Sequence, residues 1–293
     1  MMTTPRRKRL DYANLGCGTR FHPEWINLDI NPISRHVSRA DLSSGIPLPD
    51  SSCDVVYHSH LIEHLRPGDA RMFLAECRRV LRPGGILRVA TPDLERLAQD
   101  YLAALGRTLS GDARGAADRD WMVIELIDQT VREQSGGVML SYLSRDPLPN
   151  EAFVLDRIGE EGRHLIESLR ERVLRPRRHL PRPSWHLARH TAELVLTSVQ
   201  RVLVRLMTGR RGLQAFDIGR FRLSGEVHQW LYDRVSLATL LREAGFRDPA
   251  MTTPGDSRIP DWPRFHLDTL DDGTAIKPDS LFIEAVKPAE EHR

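Results

Sequence analysis

The stretch Asn14-Leu15-Gly16-Cys17-Gly18-Thr19 follows a short apolar run and decides how the rest of the sequence is interpreted. Two glycines one residue apart at the end of a strand allow the backbone to turn sharply and to approach a ligand closely. A dinucleotide-binding fingerprint has a third glycine three positions later, and here that position is Phe21. The loop therefore indicates a nucleoside ligand without a pyrophosphate and disfavours NAD.

Acidic residues end the next two predicted strands. The strand at 25–29 ends on Asp29, and the strand at 36–41 ends on Asp41, which Leu42 follows. A carboxylate at the end of the second strand can accept hydrogen bonds from both ribose hydroxyls. Asp41 can accept an adenine amino hydrogen while Leu42 packs on the ring. Three such features at three consecutive strand ends favour one nucleoside site over three unrelated turns.

Strands and helices alternate on both sides of a long helical region. Apolar residues recur at helical spacing over 69–81, before Pro83-Gly84-Gly85 ends the helix. Further strands are expected at 10–15, 53–58, 86–91, 225–231, 250–253 and 281–286, and further helices at 94–105, 121–134, 150–172, 186–207 and 236–244. This order predicts an α/β fold with a Rossmann-like, doubly wound, mostly parallel sheet.

Strand signals are missing between about residue 92 and residue 221. The sequence therefore predicts three parts: an N-terminal part of the core at 1–99, a helical insertion at 100–222, and a C-terminal part of the core at 223–293. The insertion interrupts the sheet, which the last strands then complete.

Three further runs accompany the glycine loop and the two acidic strand ends. They are Ile46-Pro47-Leu48-Pro49-Asp50-Ser51-Ser52-Cys53-Asp54-Val55-Val56, Leu61-Ile62-Glu63-His64-Leu65 and Glu76-Cys77-Arg78-Arg79-Val80-Leu81-Arg82-Pro83-Gly84-Gly85. Together they make residues 10–93 resemble the type 11 pattern of class I S-adenosylmethionine-dependent methyltransferases. The resemblance implies a seven-stranded sheet with its last strand antiparallel, and S-adenosyl-L-methionine as the cofactor at the carboxyl ends of the strands.

The resemblance also implies a role for each matching residue. The cofactor-binding residues carried over are Asn14, Gly16, Cys17 and Gly18 around the methionine moiety, Asp29 and Ile30 at the ribose, Asp41 and Leu42 at the adenine, and His58 and Ser59 after the fourth strand. Two departures stand out. Asn14 occupies a position that is commonly acidic in the family, and only 13 residues separate Gly16 from Asp29. A full helix has little room there, so we expect the helical insertion to cover part of the cofactor.

Methyl transfer to an oxygen needs a group that removes the acceptor's proton. His60 is the candidate catalytic base because it follows the fourth strand, beside the expected methyl group. The alternative is that His58 and His60 only line the pocket. Candidate substrate residues are His64, Asp93, His228 and Trp230. The alternatives are that His64 belongs to the start of a helix, that Asp93 caps a helix, and that His228 and Trp230 belong to a buried strand at 225–231.

The run His60-Leu61-Ile62-Glu63-His64 matches H-x-x-E-H, the signature of inverted zinc proteases. A five-residue match arises easily by chance in a chain with 12 histidines. The methyltransferase pattern already accounts for Leu-Glu-His at this point, so we expect no metal ligand here.

The formal net charge of +2 combines two opposite charge distributions. Residues 163–222 contain 14 arginines and four acidic residues, a local net charge of +10. Within this region Leu196, Val199, Leu203 and Leu206 recur at helical spacing. A basic amphipathic helix of this kind either lies on an anionic membrane or packs its apolar face on the core. Aromatic residues are sparse, so we expect no nucleic-acid partner.

The three cysteines form no C-x-x-C pair, and their odd number cannot close a full disulfide framework, which is typical of a reducing compartment. The basic start lacks the apolar region of a secretory signal, and no apolar run reaches about 18 residues. We expect a cytoplasmic protein, and peripheral contact at the inner membrane face stays open as the alternative to packing of the basic helix on the core. The sequence specifies no oligomeric state.

The expected reaction is methyl transfer to a hydroxyl of a small molecule, a saccharide or a lipid-linked acceptor. In the helical region, the pattern Asp-Trp…Asp-Gln-Thr-Val-Arg…Ser-Gly-Gly is similar to uncharacterised predicted methyltransferases of surface-polysaccharide type. Two alternatives stay open: a membrane-associated scaffold that binds the cofactor without turnover, and an NAD-type oxidoreductase or epimerase. Phe21 and the lack of a Tyr-x-x-x-Lys pair disfavour the second alternative.

Overall fold

The computed structural model describes residues 11–174 and 184–289, with side chains described at 11–171 and 195–289. The strands are β1 (Tyr12–Leu15), β2 (Ile26–Asp29), β3 (Val37–Arg39), β4 (Cys53–Ser59), β5 (Leu81–Pro92), β6 (Arg247–Thr252) and β7 (Ser280–Val286). They form one sheet in the order β3-β2-β1-β4-β5-β7-β6. Strand β7 is antiparallel to β5 and β6, and the other pairs are parallel. The predicted fold class is confirmed.

Apolar side chains cover both faces of the central strands, as a parallel sheet between two layers requires. One face packs on helices α1 (Pro67–Val80) and α7 (Arg234–Glu243) around one cluster of buried side chains. The other face carries an aromatic cluster that includes Tyr12, Trp25 and Tyr57. The carboxyl ends of β1, β2 and β4 consequently reach the same edge of a rigid sheet.

Helices fill the chain between β5 and β6. They are α2 (Leu94–Leu109), α3 (Gly115–Val131), α4 (Gly137–Leu143), α5 (Glu151–Leu174) and α6 (Ser184–Arg222), followed by α7. Residues of α2 to α5, with Trp121 and Met122 at the centre, bury a cluster of their own. The predicted boundary between 99 and 100 falls inside α2, so the three-part division stays a proposal. Among the helices described here, none is long and apolar enough to cross a bilayer.

The predicted strand at 225–231 is wrong. The backbone there is irregular, and its N–H groups donate to a helix and a turn: His228 to the carbonyl of Gln129 at 2.9 Å, and Gln229 to the carbonyl of Glu63 at 2.7 Å. An extended segment that forms its hydrogen bonds with a helix and a turn, and not with another strand, can show the same alternation of polar and apolar residues as a strand. The segment nevertheless brings His228 to the carboxyl-terminal edge of the sheet.

Candidate functional site

The loop after β1 requires glycine at two positions. Gly16 and Gly18 have φ angles of +63° and +51°, which disfavour residues with a side chain. A Cβ on Gly16 would also lie 2.7 Å from a methyl group of Leu61. The N–H of Gly18 donates to Asp29 Oδ2 at 2.8 Å, so the tip of the loop is bound to the end of β2.

Two buried asparagines hold the short connection between β1 and β2, which contains no helix within described residues 16–25. Asn14 Nδ2 donates to the carbonyl of Arg20 at 2.9 Å. Asn27 Nδ2 donates to the carbonyls of His22 and Trp25, each at 2.9 Å. A carboxylate in place of Asn14 has no proton to donate to Arg20. The departure from the family's acidic residue therefore has a structural reason, which the sequence alone did not indicate.

A cavity of about 360 Å³ opens beside this loop. Its lining comes from the loop, the end of β4, helix α5 and the C-terminal segment: Asn14, Gly16, Cys17, Gly18, Thr19, Arg20, Tyr57, Ser59, His60, Glu161, His164, Leu267, Asp268, Ile276, Lys277, Ser280 and Phe282. Five predicted cofactor residues and the predicted base are thus brought together. The first cavity lies where α/β sheets bind their ligands, outside the carboxyl ends of the strands.

The remaining predicted cofactor residues lie beside the first cavity or away from it. Asp29 contacts the loop by accepting a hydrogen bond from the N–H of Gly18, whereas Ile30 is 52% exposed and does not line the first cavity. Asp41 caps a short 3₁₀ helix by accepting from the N–H of Ser43 at 3.0 Å, and Leu42 packs partly against the core. Hydrogen bonds from Ser43 lower the pKa of Asp41.

The structure corrects the prediction for the His58 side chain. Successive side chains of a strand point to opposite faces, so Tyr57 and Ser59 face the first cavity while His58 faces α1. The His58 ring is fully buried, with its centroid 5.1 Å from that of Phe73. Its ring nitrogens have no hydrogen-bond partner among the described residues, and burial lowers the pKa of His58 to about 4. The neutral ring is part of the core.

His60 adopts a left-handed conformation, with φ of +51°. Its N–H donates to the carbonyl of Ala90 at 2.9 Å, which fixes the turn to β5. The ring Nδ1 lies 3.1 Å from Glu63 Oε1, and Nε2 lies 2.9 Å from Ser280 Oγ. Nδ1 faces the carboxylate, and with the ring proton on Nδ1, Nε2 would be the acceptor toward Ser280 Oγ.

A second cavity, of about 390 Å³, adjoins the first. Its lining is His60, His64, Pro92, Leu97, Glu125, Gln129, Arg132, Met139, Leu143, Ile158, Glu161, Gly162, Leu165, Glu226, His228, Leu231, Lys277 and Asp279. Three residues line both cavities: His60, Glu161 and Lys277. The two cavities meet at these three side chains.

Two of the four candidate substrate residues, His64 and His228, line the second cavity. Asp93 instead caps α2, accepting from the N–H groups of Glu95 and Arg96 at 3.0 and 3.3 Å. Trp230 is 50% exposed and outside both linings. The structure therefore supports the helix-cap alternative for Asp93.

Glu63 is fully buried among imidazoles. Burial raises its pKa, but the hydrogen bond from His60, together with attraction to the imidazoles of His60, His228 and His64 when these carry a second proton, outweighs burial and holds the pKa well below its usual range. Thr91 Oγ1 also donates to its carboxylate, at 3.1 Å. Burial lowers the pKa of His64 and brings that of His228 to about 3. The cluster thus holds an ionised carboxylate beside two neutral rings.

The H-x-x-E-H match does not form an α-helix. His60 lies in a turn, and Ile62–His64 is a single 3₁₀ turn. The structure groups Glu63 and His64 with His228 instead, with one donor atom of each within 4.8 Å of the others. Two of the three residues already have partners: His64 Nδ1 lies 3.3 Å from the carbonyl of Val227, and Glu63 contacts His60 and Thr91. The absence of a metal ligand stays a prediction.

Helix α5 closes the first cavity from the side of the helical region. Lys277 Nζ lies 2.8 Å from Glu161 Oε2 and joins α5 to the segment before β7. Gly159 kinks α5 with φ of +60°, and a Cβ there would lie 2.5 Å from the carbonyl oxygen of Ile276. Helix α5 is therefore the part of the helical region that lines the first cavity. Sequence patterns did not single out Glu161. The one signal for Lys277 was that lysine is rare, with three in the chain.

A buried arginine supports the wall of the first cavity. Arg88 on β5 donates two hydrogen bonds to Asp268 Oδ2, at 2.8 and 2.9 Å, and one to Glu284 Oε1 at 2.8 Å. Its guanidinium also lies 4.3 Å from the ring centroid of Trp262. Tyr57 Oη donates to Asp268 Oδ1 at 2.6 Å, so two cavity residues are held by one network.

Residues 14–89 match the family model described as the Methyltransferase domain. The predicted resemblance of this part of the chain to S-adenosylmethionine-dependent methyltransferases is thereby confirmed. The matched segment contains the glycine loop, both acidic strand ends and His60.

Curated relatives agree over a similar, short part of the chain. A probable S-adenosylmethionine-dependent methyltransferase of Mycolicibacterium smegmatis is 51% identical over 59 residues, which are 20% of this chain and 21% of the relative. A probable S-adenosylmethionine-dependent methyltransferase of Mycobacterium tuberculosis is 49% identical over 57 residues, 20% of each chain. The matches span about a fifth of the length of these relatives.

Solved structures with similarity include a SAM-dependent methyltransferase from Archaeoglobus fulgidus, at 13% identity and a TM-score of 0.36 over 95% of this chain and 86% of that chain. A putative methyltransferase in complex with the Trm112 activator of Haloferax volcanii has 11% identity and a TM-score of 0.38, over 99% of this chain and 86% of that chain. Similarity at this level carries no conclusion about function.

Proposed function

We infer that this chain, whose residues 14–89 match the methyltransferase-domain model, transfers a methyl group from S-adenosyl-L-methionine at the first cavity to a hydroxyl of an acceptor in the second cavity. One observation carries the proposal: His60 lies where the two cavities meet and lines both. A donor and an acceptor that meet beside its ring could react directly, with His60 within reach of the acceptor's hydroxyl.

The residues of the first cavity fit the cofactor. The absence of a Cβ at Gly16 lets the backbone approach a ligand, and the loop tip is already held by Asp29, so little ordering is needed on binding. When bound, the cofactor supplies a methyl group on a sulfonium, which is already activated for displacement. The chain's part is then mainly to position the two reactants.

His60 is the proposed base. Glu63 faces Nδ1 and orients the ring, so that Nε2, now 2.9 Å from Ser280 Oγ, can accept a proton from the acceptor hydroxyl. The ionised and buried Glu63 also stabilises the imidazolium that forms, because opposite charges attract more strongly away from water.

The lining of the second cavity supports an acceptor with several hydroxyls, such as a saccharide or the head of a lipid-linked glycan. Its lining combines hydrogen-bonding groups, such as Glu125, Gln129 and His228, with apolar side chains, such as Leu97, Met139 and Leu143. This combination suits a molecule with polar edges and apolar faces. The alternatives of an NAD enzyme and of a scaffold without turnover are outcomes of the test.

Titration calorimetry with S-adenosylmethionine, its demethylated product and NAD tests the cofactor. We expect both sulfur compounds to bind and NAD not to bind; failure of both sulfur compounds would overturn the proposal. Transfer of a labelled methyl group to a pool of glycans and glycolipids tests turnover. Binding without transfer to any acceptor in the pool would favour the scaffold.

A further inference from the structure

Helix α6 presents an apolar stripe that is largely exposed in the described part of the chain. Seven large side chains between residues 195 and 207 are at least 50% exposed: Val195, Leu196, Val199, Val202, Leu203, Leu206 and Met207. At about 100° per residue they fall within an arc of about 140°, along about 20 Å of helix. Packing of this face on the core, one of the two alternatives from the sequence, does not occur among these residues.

The stripe lies on one arm of a helical hairpin. The helix breaks at Gly209, where φ is +72° and ψ is −164°. Arg201 Nη1 then lies 3.0 Å from Asp217 Oδ1. In a straight helix these residues would lie about 24 Å apart along the axis, so the arm after Gly209 must fold back beside the first. Val204 and Thr197, on the side of Arg201, are partly covered, whereas the stripe faces away.

The charged residues around the stripe indicate which kind of surface it can bind. Residues 195–222 contain six arginines and one acidic residue, Asp217. Asp217 pairs with Arg201, and the exposed Arg205, Arg210 and Arg211 are near the stripe or at the tip of the hairpin. A second copy packed stripe to stripe would bring two such cationic arms together, which like-charge repulsion disfavours. An anionic surface is attracted by the same residues.

We propose that the hairpin 195–222 binds the surface of an anionic lipid bilayer, with the apolar stripe inserted between headgroups and the arginines contacting lipid phosphates. A helix with one apolar face and an arginine-rich remainder lies in the plane of such an interface. Binding there would hold the second cavity near acceptors that carry a lipid. Membrane binding is independent of methyl transfer, so the proposal can fail while the proposed function stands.

Vesicle flotation with the full-length chain tests the proposal. Vesicles of phosphatidylcholine alone are compared with vesicles that contain one third phosphatidylglycerol, at low and high salt. We expect flotation with the anionic vesicles that weakens with salt. The variant Leu196→Ser/Val199→Ser/Leu203→Ser/Leu206→Ser should lose flotation. In Arg205→Glu/Arg210→Glu/Arg211→Glu, the partition coefficient should fall more than about tenfold, since each basic residue near the surface contributes about fivefold.

Matched controls change exposed residues elsewhere. Met72 and Leu102 are each 63% exposed, so Met72→Ser/Leu102→Ser removes exposed apolar surface without touching the hairpin. Arg242→Glu is the control for charge. Both controls should float like the unmodified chain. The proposal is overturned by absence of flotation with anionic vesicles, or by hairpin variants that still float. It is also overturned if the lipid-free chain is a dimer that the serine variant converts to a monomer.

Discussion

His60 and Ser280, 220 residues apart in the sequence, face each other in the lining of the first cavity, with Nε2 and Oγ separated by 2.9 Å. His60 follows β4, and Ser280 begins β7. The two residues share one edge of the sheet because β7 is antiparallel to β5 and begins where β4 and β5 end. The Ser280 hydroxyl occupies the side of the ring that the acceptor's hydroxyl would need. In the proposed reaction, the acceptor's hydroxyl would therefore take the place of the Ser280 hydroxyl beside Nε2.

Replacing His60 should separate catalysis from cofactor binding. In His60→Asn, we expect the methyl-transfer rate to fall about 10²–10⁴-fold, the usual contribution of a positioned base. The dissociation constant for S-adenosylmethionine should change little, because the loop and Asp29 are intact. Ser280→Ala, which leaves the ring in place, should cost much less. Calorimetry and labelled-methyl assays report the two quantities, and an unaffected rate in His60→Asn would remove the base role.

Gly159→Ala should detach α5 from the first cavity. The new Cβ would lie 2.5 Å from the carbonyl of Ile276 at a φ of +60°, so the kink is strained by about 1–3 kcal/mol. We expect a lower thermal midpoint and weaker cofactor binding, since Glu161 and Lys277 move apart. In Gly106→Ala, where a Cβ meets nothing within 4 Å inside α2, stability should rise slightly. Equal effects of the two substitutions on binding would contradict the role of α5.

Arg88→Met should destabilise the fold. It leaves the carboxylates of Asp268 and Glu284 buried without their cation, which costs about 3–5 kcal/mol for a broken buried pair. The triple variant Arg88→Met/Asp268→Asn/Glu284→Gln should recover part of this loss, since no uncompensated charge remains. Chemical denaturation measures both. A triple variant less stable than the single one would show that packing of the arginine, and not charge, dominates.

Glu76 should contribute stability that depends on pH. Hydrogen bonds from Arg79 and from the N–H of Ile46 lower its pKa to about 2. A carboxyl with a lowered pKa stabilises the folded state above its unfolded value of about 4.3, and this contribution is lost as the pH falls toward 2. The stability difference between the unmodified chain and Glu76→Gln should therefore shrink between pH 5 and pH 2. A difference that is constant over this range would refute the assignment.

The thiol of Cys17 should react slowly although it lies in the cofactor loop. Burial, together with the nearby charge of Asp29, raises its pKa to about 11. At pH 8 almost no thiolate is present, so iodoacetamide should label Cys17 far more slowly in the folded chain than after denaturation. Peptide mapping by mass spectrometry measures this. Rapid labelling in the folded state would show that the loop opens to solvent.

Local patterns predicted the parts of the site that depend on a single strand end. The loop at Gly16, the acid at Asp29 and the turn at His60 each follow directly from residues next to them in the sequence. Strand periodicity was also sufficient to place the His58 side chain away from the cavity, because residues 57 and 59 lie on one face of β4 and residue 58 lies on the other. The strand predicted at 225–231 failed because alternation does not reveal which groups satisfy an extended backbone.

By itself, the sequence determined the α/β class, the glycine loop and the sequential positions of the acidic strand ends. These features depend on backbone conformation and periodicity within a few residues. The tertiary structure alone decided that Glu161, Lys277, Ser280 and His228 join His60. Their separations in the chain are bridged by the docking of α5 at Gly159 and by the antiparallel insertion of β7 beside β5. No local pattern encodes such contacts, because they depend on which distant surfaces bury each other's apolar and charged groups.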